Sequence, residues 1–259
     1  MAYTSASMTR LAILLLLCAG CSAPGSSLSA HRDAQPFRLD LEGGALWQNR
    51  NDVRIPGEGG TRFSIADLIG EGEYPIWRVT GDWDVDARHA VRAVIAPLEV
   101  DGTGSLPSAT VFDGQTFAAG TPTDAKYRFN SYRLGYRYTY LHTEHWRLRV
   151  GGTLFVRDAE VELVQGATRA SDSNVGLVPL ANFAAEFYPS EDWRIVAELD
   201  DLASGQGRAV DFSLRGSYDL TEGASLSLGY RTIEGGADNE DVFSFAWLNS
   251  VFASLELRF

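Results

Sequence analysis

Cysteine is almost missing from this 259-residue chain: Cys18 and Cys21 are the only two, both near the N-terminus. No disulfide framework can therefore brace the remaining sequence. Positive charge is in deficit, with 22 basic side chains against 34 acidic ones and a formal net charge of −12. That balance is the reverse of the electropositive footprint of a nucleic-acid binder. Long apolar runs are absent too: no stretch after residue 20 approaches the roughly 18 apolar residues of a membrane helix. Mean hydropathy is slightly negative, unlike that of a helical membrane bundle. Disorder is excluded in turn, because 45% of residues are hydrophobic and only 22% charged. What is abundant is glycine (26) and aromatic residues: 6 Trp, 10 Tyr and 13 Phe.

The first residues read as an export signal. Arg10 precedes the apolar run Leu11–Ala19, too short to span a bilayer, and Met8 offers a more compact start. Leu17-Cys18-Ala19-Gly20-Cys21 resembles the lipobox of bacterial lipoproteins, which implies lipidation at Cys21, although Cys18 stands where that family prefers Leu. Ordinary cleavage after Ala23 is the alternative, with Pro24 placed unfavourably behind the cut. The expected organisation is a signal at 1–20, a small-residue periplasmic tether at 21–35 and one domain over 36–259.

From Phe37 the apolar pattern repeats every second residue, the period of a strand with one buried and one polar face. Phe37, Leu39, Leu41, Ala45 and Trp47 oppose Arg38, Asp40, Glu42 and Gln48. Tyr132, Leu134, Tyr136, Tyr138 and Tyr140 oppose Arg133 and Arg137, and the final segment carries Trp247, Val251, Leu255, Leu257 and Phe259 on one face. Ten such segments fall near 37–48, 75–86, 88–100, 126–141, 145–164, 175–188, 192–202, 208–220, 223–234 and 241–259. Alternation suits a soluble sandwich as well as a membrane barrel. Charge at the centre of the polar face, aromatics near strand ends and an alternation of tight turns with long loops favour the barrel. Four tight turns repeat an aromatic just before a polar turn, as in Trp83-Asp-Val-Asp and Phe187-Tyr-Pro-Ser-Glu-Asp-Trp193, which suits rings at headgroup level.

These features resemble the small Gram-negative outer-membrane β-barrels. The resemblance implies a single all-β, up-and-down antiparallel barrel of about ten strands (eight being the alternative), with short periplasmic turns and long extracellular loops. It also implies outer-membrane lipid and lipopolysaccharide as surroundings. Phe259 would be the assembly signal read by the barrel-insertion machinery.

Within such a barrel the polar faces meet in a narrow lumen. Arg133, Arg137, Arg147 and Arg149 from two adjacent strands would oppose Glu186, Glu198, Asp200 and Asp211 from the next three, with Arg215 among the acids. Val91, Ala93 and Ile95 face lipid only if Arg92 points inward. Mutual pairing would satisfy and seal the interior; the alternative is an eyelet with a transverse field for small polar solutes. Outer-membrane proteases work with Asp and His at the extracellular rim. Here His89, His142 and His145 fall at tight turns, and His31 lies in the tether. That chemistry, and the Ser/His chemistry of lipid-modifying barrels, is therefore not expected, and no motif calls for a metal or cofactor. The expected function is a structural barrel or a narrow, largely plugged porin-like channel rather than an enzyme. A surface receptor or adhesin acting through acidic outer loops is the alternative. In the first of those loops Ser64 and Asp67 suit the start of a short helix across the barrel mouth.

Overall fold

A computed structural model describes residues 35–204 and 207–259. The signal, Cys21, His31 and nearly all of the tether lie outside the described residues. Strand β1 (Phe37–Arg54) leads into a loop that holds β2 (Phe63–Ser64) and helix α1 (Ile65–Ile69). Then come β3 (Tyr74–Asp84), β4 (His89–Ala96), β5 (Glu99–Ser105) and a small hairpin of β6 (Thr110–Phe112) and β7 (Gln115–Phe117). The rest of the wall is β8 (Pro122–His142), β9 (Trp146–Gln165), β10 (Thr168–Phe187), β11 (Trp193–Ser204), β12 (Gly207–Thr221), β13 (Ala224–Asp238) and β14 (Phe243–Arg258). β4 and β5 share one place in the wall, because both pair with β8. The barrel thus has ten staves, each antiparallel to the next, and not eight.

Closure is made by β1 and β14, paired from Arg38↔Arg258 to Arg54↔Phe243. At its end the amide of Phe37 donates to the Phe259 carbonyl (3.1 Å) and the amide of Phe259 donates to the Phe37 carbonyl (3.0 Å). The last residue is therefore a paired member of the wall. Gly44 lets the seam close, since a Cβ there would lie 2.2 Å from the Val251 carbonyl oxygen.

The apolar faces point outward. Leu134, Leu154, Leu214, Leu228 and Val251 stand exposed around the wall. At the short-turn end this belt is rimmed by rings in contact: Phe37 on Trp83 and Phe259, Trp146 on Phe187, and Trp193 on Tyr218. A second rim holds Trp47 against Tyr230, with Trp77 and Trp247 exposed. On β1 the two rims are Phe37 and Trp47, a spacing that matches the roughly 9–11 tilted strand residues needed to cross a bilayer.

The strands continue well past the second rim: β8 has 21 residues. This corrects the expected loops. Residues 166–174 read as loop, yet Thr168 to Gly176 pair with Gln165 to Arg157, leaving only Gly166 and Ala167 as the turn. β1, β5 and β8 likewise extend into the stretches read as two long loops. The physical reason is that a strand standing in water is polar on its outer face, so Asp172, Ser173 and Asn174 mark solvent rather than a break in the ladder.

Inside this outer half the polarity inverts again. Val53, Phe63, Ile65, Leu68, Val100, Phe112, Phe117, Tyr127, Leu163 and Leu248 form an apolar core. Helix α1 enters it as expected, capped by Ser64, whose Oγ accepts from the Asp67 amide at 3.0 Å. Gly104 makes room for it: a Cβ there would lie 1.6 Å from the Leu68 carbonyl oxygen.

Candidate functional site: the charged lumen

Between the short turns and that apolar core the lumen is filled by ion pairs. All nine residues expected there point inward: Arg133, Arg137, Arg147, Arg149, Glu186, Glu198 and Asp211 are buried, and Asp200 and Arg215 nearly so. The opposition across the barrel holds for some of them. Arg133 spans to Asp200 (2.6 Å) and Asp211 (2.7 Å), and Arg137 reaches Glu198 (2.9 Å). It does not hold for Arg149, which lies 3.6 Å from both Glu186 on the adjacent strand and Asp84 on β3, nor for Arg147, which also reaches Asp84 (3.2 Å). The alternation of side chains sets which face a residue takes, but the stagger between strands sets its height, and height selects the partner.

The sequence reading also left half of the network out. Arg38, Asp40, Glu42, Arg78, Asp82, Asp84, Arg194, Arg231, Glu256 and Arg258 belong to it, and Arg92 points inward to Glu198, as its strand phase required. The signal was present, because Arg38, Asp40 and Glu42 alternate with the lipid-facing residues of β1 just as Arg133 and Arg137 do on β8.

The pairs stack in tiers. Nearest the short turns, Asp84 joins Arg38 (3.1 Å) and Arg147, while Glu256 accepts from Arg194 (2.9 Å) and Arg258 (2.9 Å). Above them, Arg215 holds Asp40 (3.1 Å), and Glu198 lies between Arg92 and Arg137. In the third tier Asp211 is met by Arg78 (3.1 Å), Arg133 and Arg231 (2.8 Å), and Arg231 also holds Glu42 (3.0 Å). Asn182 and Thr153 donate to Asp200, and Asn182 accepts from Arg137 Nε at 2.7 Å. Lys126, on the outer surface, is the single lysine of the sequence, so every cation in the network is a guanidinium. The planar fork of arginine can bridge two carboxylates at once, which an ammonium does poorly.

His89, His142 and His145 lie at the short-turn end. The His89 ring is hydrogen-bonded to Tyr136 Oη (2.5 Å), and the amides of Arg88 and His89 donate to Asp86 Oδ1. These backbone bonds hold the Asp86 carboxyl below its ordinary range. His145 pairs with the Tyr188 carbonyl (3.1 Å) across neighbouring turns. Among the described residues no three His, Cys, Asp or Glu side chains converge as a metal site.

Among solved structures the barrel is similar to the outer-membrane protease OmpT from Escherichia coli, with a TM-score of 0.54 and 10% identity, covering 86% of this chain and 96% of that one. The fold is that of the bacterial outer-membrane β-barrels. Its lipid-facing belt accords with that fold, and together they place the protein in a bacterial outer membrane, with the short turns periplasmic and the longer strand ends extracellular. Fainter likenesses are to Ail, the attachment invasion locus protein of Yersinia pestis (TM-score 0.41, 10% identity, 86% of this chain and 99% of that one), and to the toluene transporter TodX of Pseudomonas putida (TM-score 0.36, 8% identity, 90% and 92%). No family model matches the sequence, and no curated protein matches it.

Proposed function

We propose that this outer-membrane barrel is structural, or at most a narrow and largely plugged channel, and that it is not an enzyme. The observation that carries this reading is the double seal along the axis. Tiers of paired arginines and carboxylates fill the membrane-embedded half, and a buried apolar core with Phe112, Phe117, Ile65 and Leu163 fills the extracellular half. A solute would have to separate buried ion pairs, leaving charges unpaired in a low-dielectric interior. The placement of His89, His142 and His145 at the periplasmic end also speaks against protease chemistry at the outer rim. The deciding experiment is single-channel recording in planar bilayers. Silence is expected for the parent protein; steady steps whose size changes in Arg133→Gln or Arg137→Gln would establish an eyelet instead.

A second reading, a surface receptor or adhesin, draws on the extracellular half. The pairing of β8, β9 and β10 runs far beyond the outer rim, and the loops between are packed on their own core, giving a firm platform. Its outer face carries Glu99, Asp101, Asp124, Asp158, Glu160 and Glu162; Lys126 pairs with Glu99, Arg128 with Asp158 and Glu160, and Arg169 with Glu162, which leaves the face net acidic and suited to a basic or cation-bridged partner such as lipopolysaccharide. Phe259, paired to Phe37 and outward-facing, suits recognition by the insertion machinery before the seam closes.

A further inference from the structure

One stretch of the wall is not closed. β3 pairs with β1 from Tyr74 to Trp83, but with β4 only from Val79 to Asp84. β4 ends at Ala96; the chain turns through Pro97 and Leu98 and rejoins β8 as β5 at Glu99↔Arg128. Among the described residues, Tyr74–Arg78 therefore has no ladder partner on that side. The gap opens beside the outer aromatic rim, where Trp77, Ile95 and Tyr132 stand exposed. Unpaired backbone is tolerated at membrane depth only where it lines a cavity or is buried in protein.

A cavity is there. A space of about 30 Å³ runs inward from Trp77, Ala96 and Pro97 to the third tier of charges. Its upper lining is the underside of the apolar core, with Leu46, Ile76, Leu98 and Phe129. Its floor is Arg78, Arg133, Arg231 and Glu42, with the hydroxyls of Ser131 and Ser250. Three arginines and one carboxylate border the space, and each arginine keeps its ion pair: Arg78 and Arg133 with Asp211, and Arg231 with Asp211 and Glu42. Two atoms of that floor have unused hydrogen-bonding capacity: Arg231 Nε and Glu42 Oε1, on side chains about 95% buried.

We propose that this gap is a lateral port that receives the carboxylate head of a single-chain fatty acid from the outer leaflet. An anionic acceptor gives Arg231 Nε a partner. A protonated head can instead donate to Glu42. The space holds a group the size of a carboxyl or about two waters, and it is too small for a phosphodiester with its glycerol. The hydrocarbon tail leaves between Trp77 and Ala96 and remains in the membrane, so the port needs no axial channel and does not depend on whether the lumen conducts.

Trp77 supplies the readout. The full barrel, reconstituted in phosphatidylcholine nanodiscs, is titrated with dibromostearic acid, whose bromines quench nearby indoles. Subtraction of Trp77→Phe isolates the Trp77 signal. The expected result is a saturable quench that stearic acid reverses, weakened about tenfold by Arg78→Gln, which leaves Asp211 its two other arginines. Ala96→Phe, which fills the mouth without touching the ion pairs or adding an indole, should abolish the saturable component and keeps the test decisive if Arg78→Gln fails to fold. Quenching that never saturates, or equal saturation by the methyl ester or by brominated phosphatidylcholine, would overturn the port, because water and bulk lipid then suffice to fill it.

Discussion

Asp211 concentrates the energetics of the lumen in one side chain. It accepts from Arg78, Arg133 and Arg231, all buried, so Asp211→Asn leaves three guanidiniums around a neutral amide. A loss of about 3–5 kcal/mol is expected, measured as the shift in urea unfolding of the barrel in lipid vesicles; a shift below 1 kcal/mol would mean that water already screens this tier. Arg133→Lys tests the geometry rather than the charge. A single ammonium cannot bridge Asp200 and Asp211 as the fork does, and a cost of about 1.5–3 kcal/mol is expected. Outside the membrane, burial works against the Asp52 carboxylate, but hydrogen bonds from Arg62 and Arg50 (2.6 Å each) hold it below its ordinary value of 3.8. A depressed carboxylate contributes stability that is complete above the unfolded value and is lost as pH falls through the folded one. Protection of the Phe63 and Ser64 amides should therefore hold down to about pH 4 and decline in stronger acid; protection that stays flat to pH 2 would contradict the assignment.

Two local choices fix the extracellular lid. Ser64 caps α1, and Gly104 allows the Leu68 carbonyl to approach β5 more closely than any side chain permits. Ser64→Ala should cost about 1 kcal/mol of local stability, seen as faster hydrogen exchange at Asp67 and Leu68 with unchanged exchange in β8 and β9. Gly104→Ala should release the same amides more strongly, because the clash is with backbone that cannot rotate away. If both variants leave exchange unchanged, the helix is held by Ile65 and Leu68 in the apolar core alone. The short cap was legible from Ser64 and Asp67. The glycine was not, since its reason lies in a segment about 35 residues away in sequence.

For the molecule as a whole, the membrane is the solvent that makes its outside apolar. Leu228, 71% exposed at mid-belt, tests this: Leu228→Arg should cost about 2–4 kcal/mol in lipid vesicles, whereas the same change on a water-facing wall would be nearly silent. Alternation with period two, ring-flanked turns and Phe259 on the outward face of the final strand were enough to read a barrel, its lipid face and the inward side of the charged residues, while the choice of ten strands over eight came from the folded wall. This works because a pleated strand gives each residue only two directions, and lipid and lumen demand opposite chemistries. Three further things were decided only in the folded molecule. Strands run on past the membrane, since polarity on an outer face in water looks the same in sequence as a loop. Which carboxylates each arginine meets, as with Arg133 bridging Asp200 and Asp211, was set by strand stagger, which fixes heights that no single strand encodes. The outer half closes over an apolar core because Phe112, Ile65 and Leu163, far apart along the chain, come together only when the ring of strands encloses them.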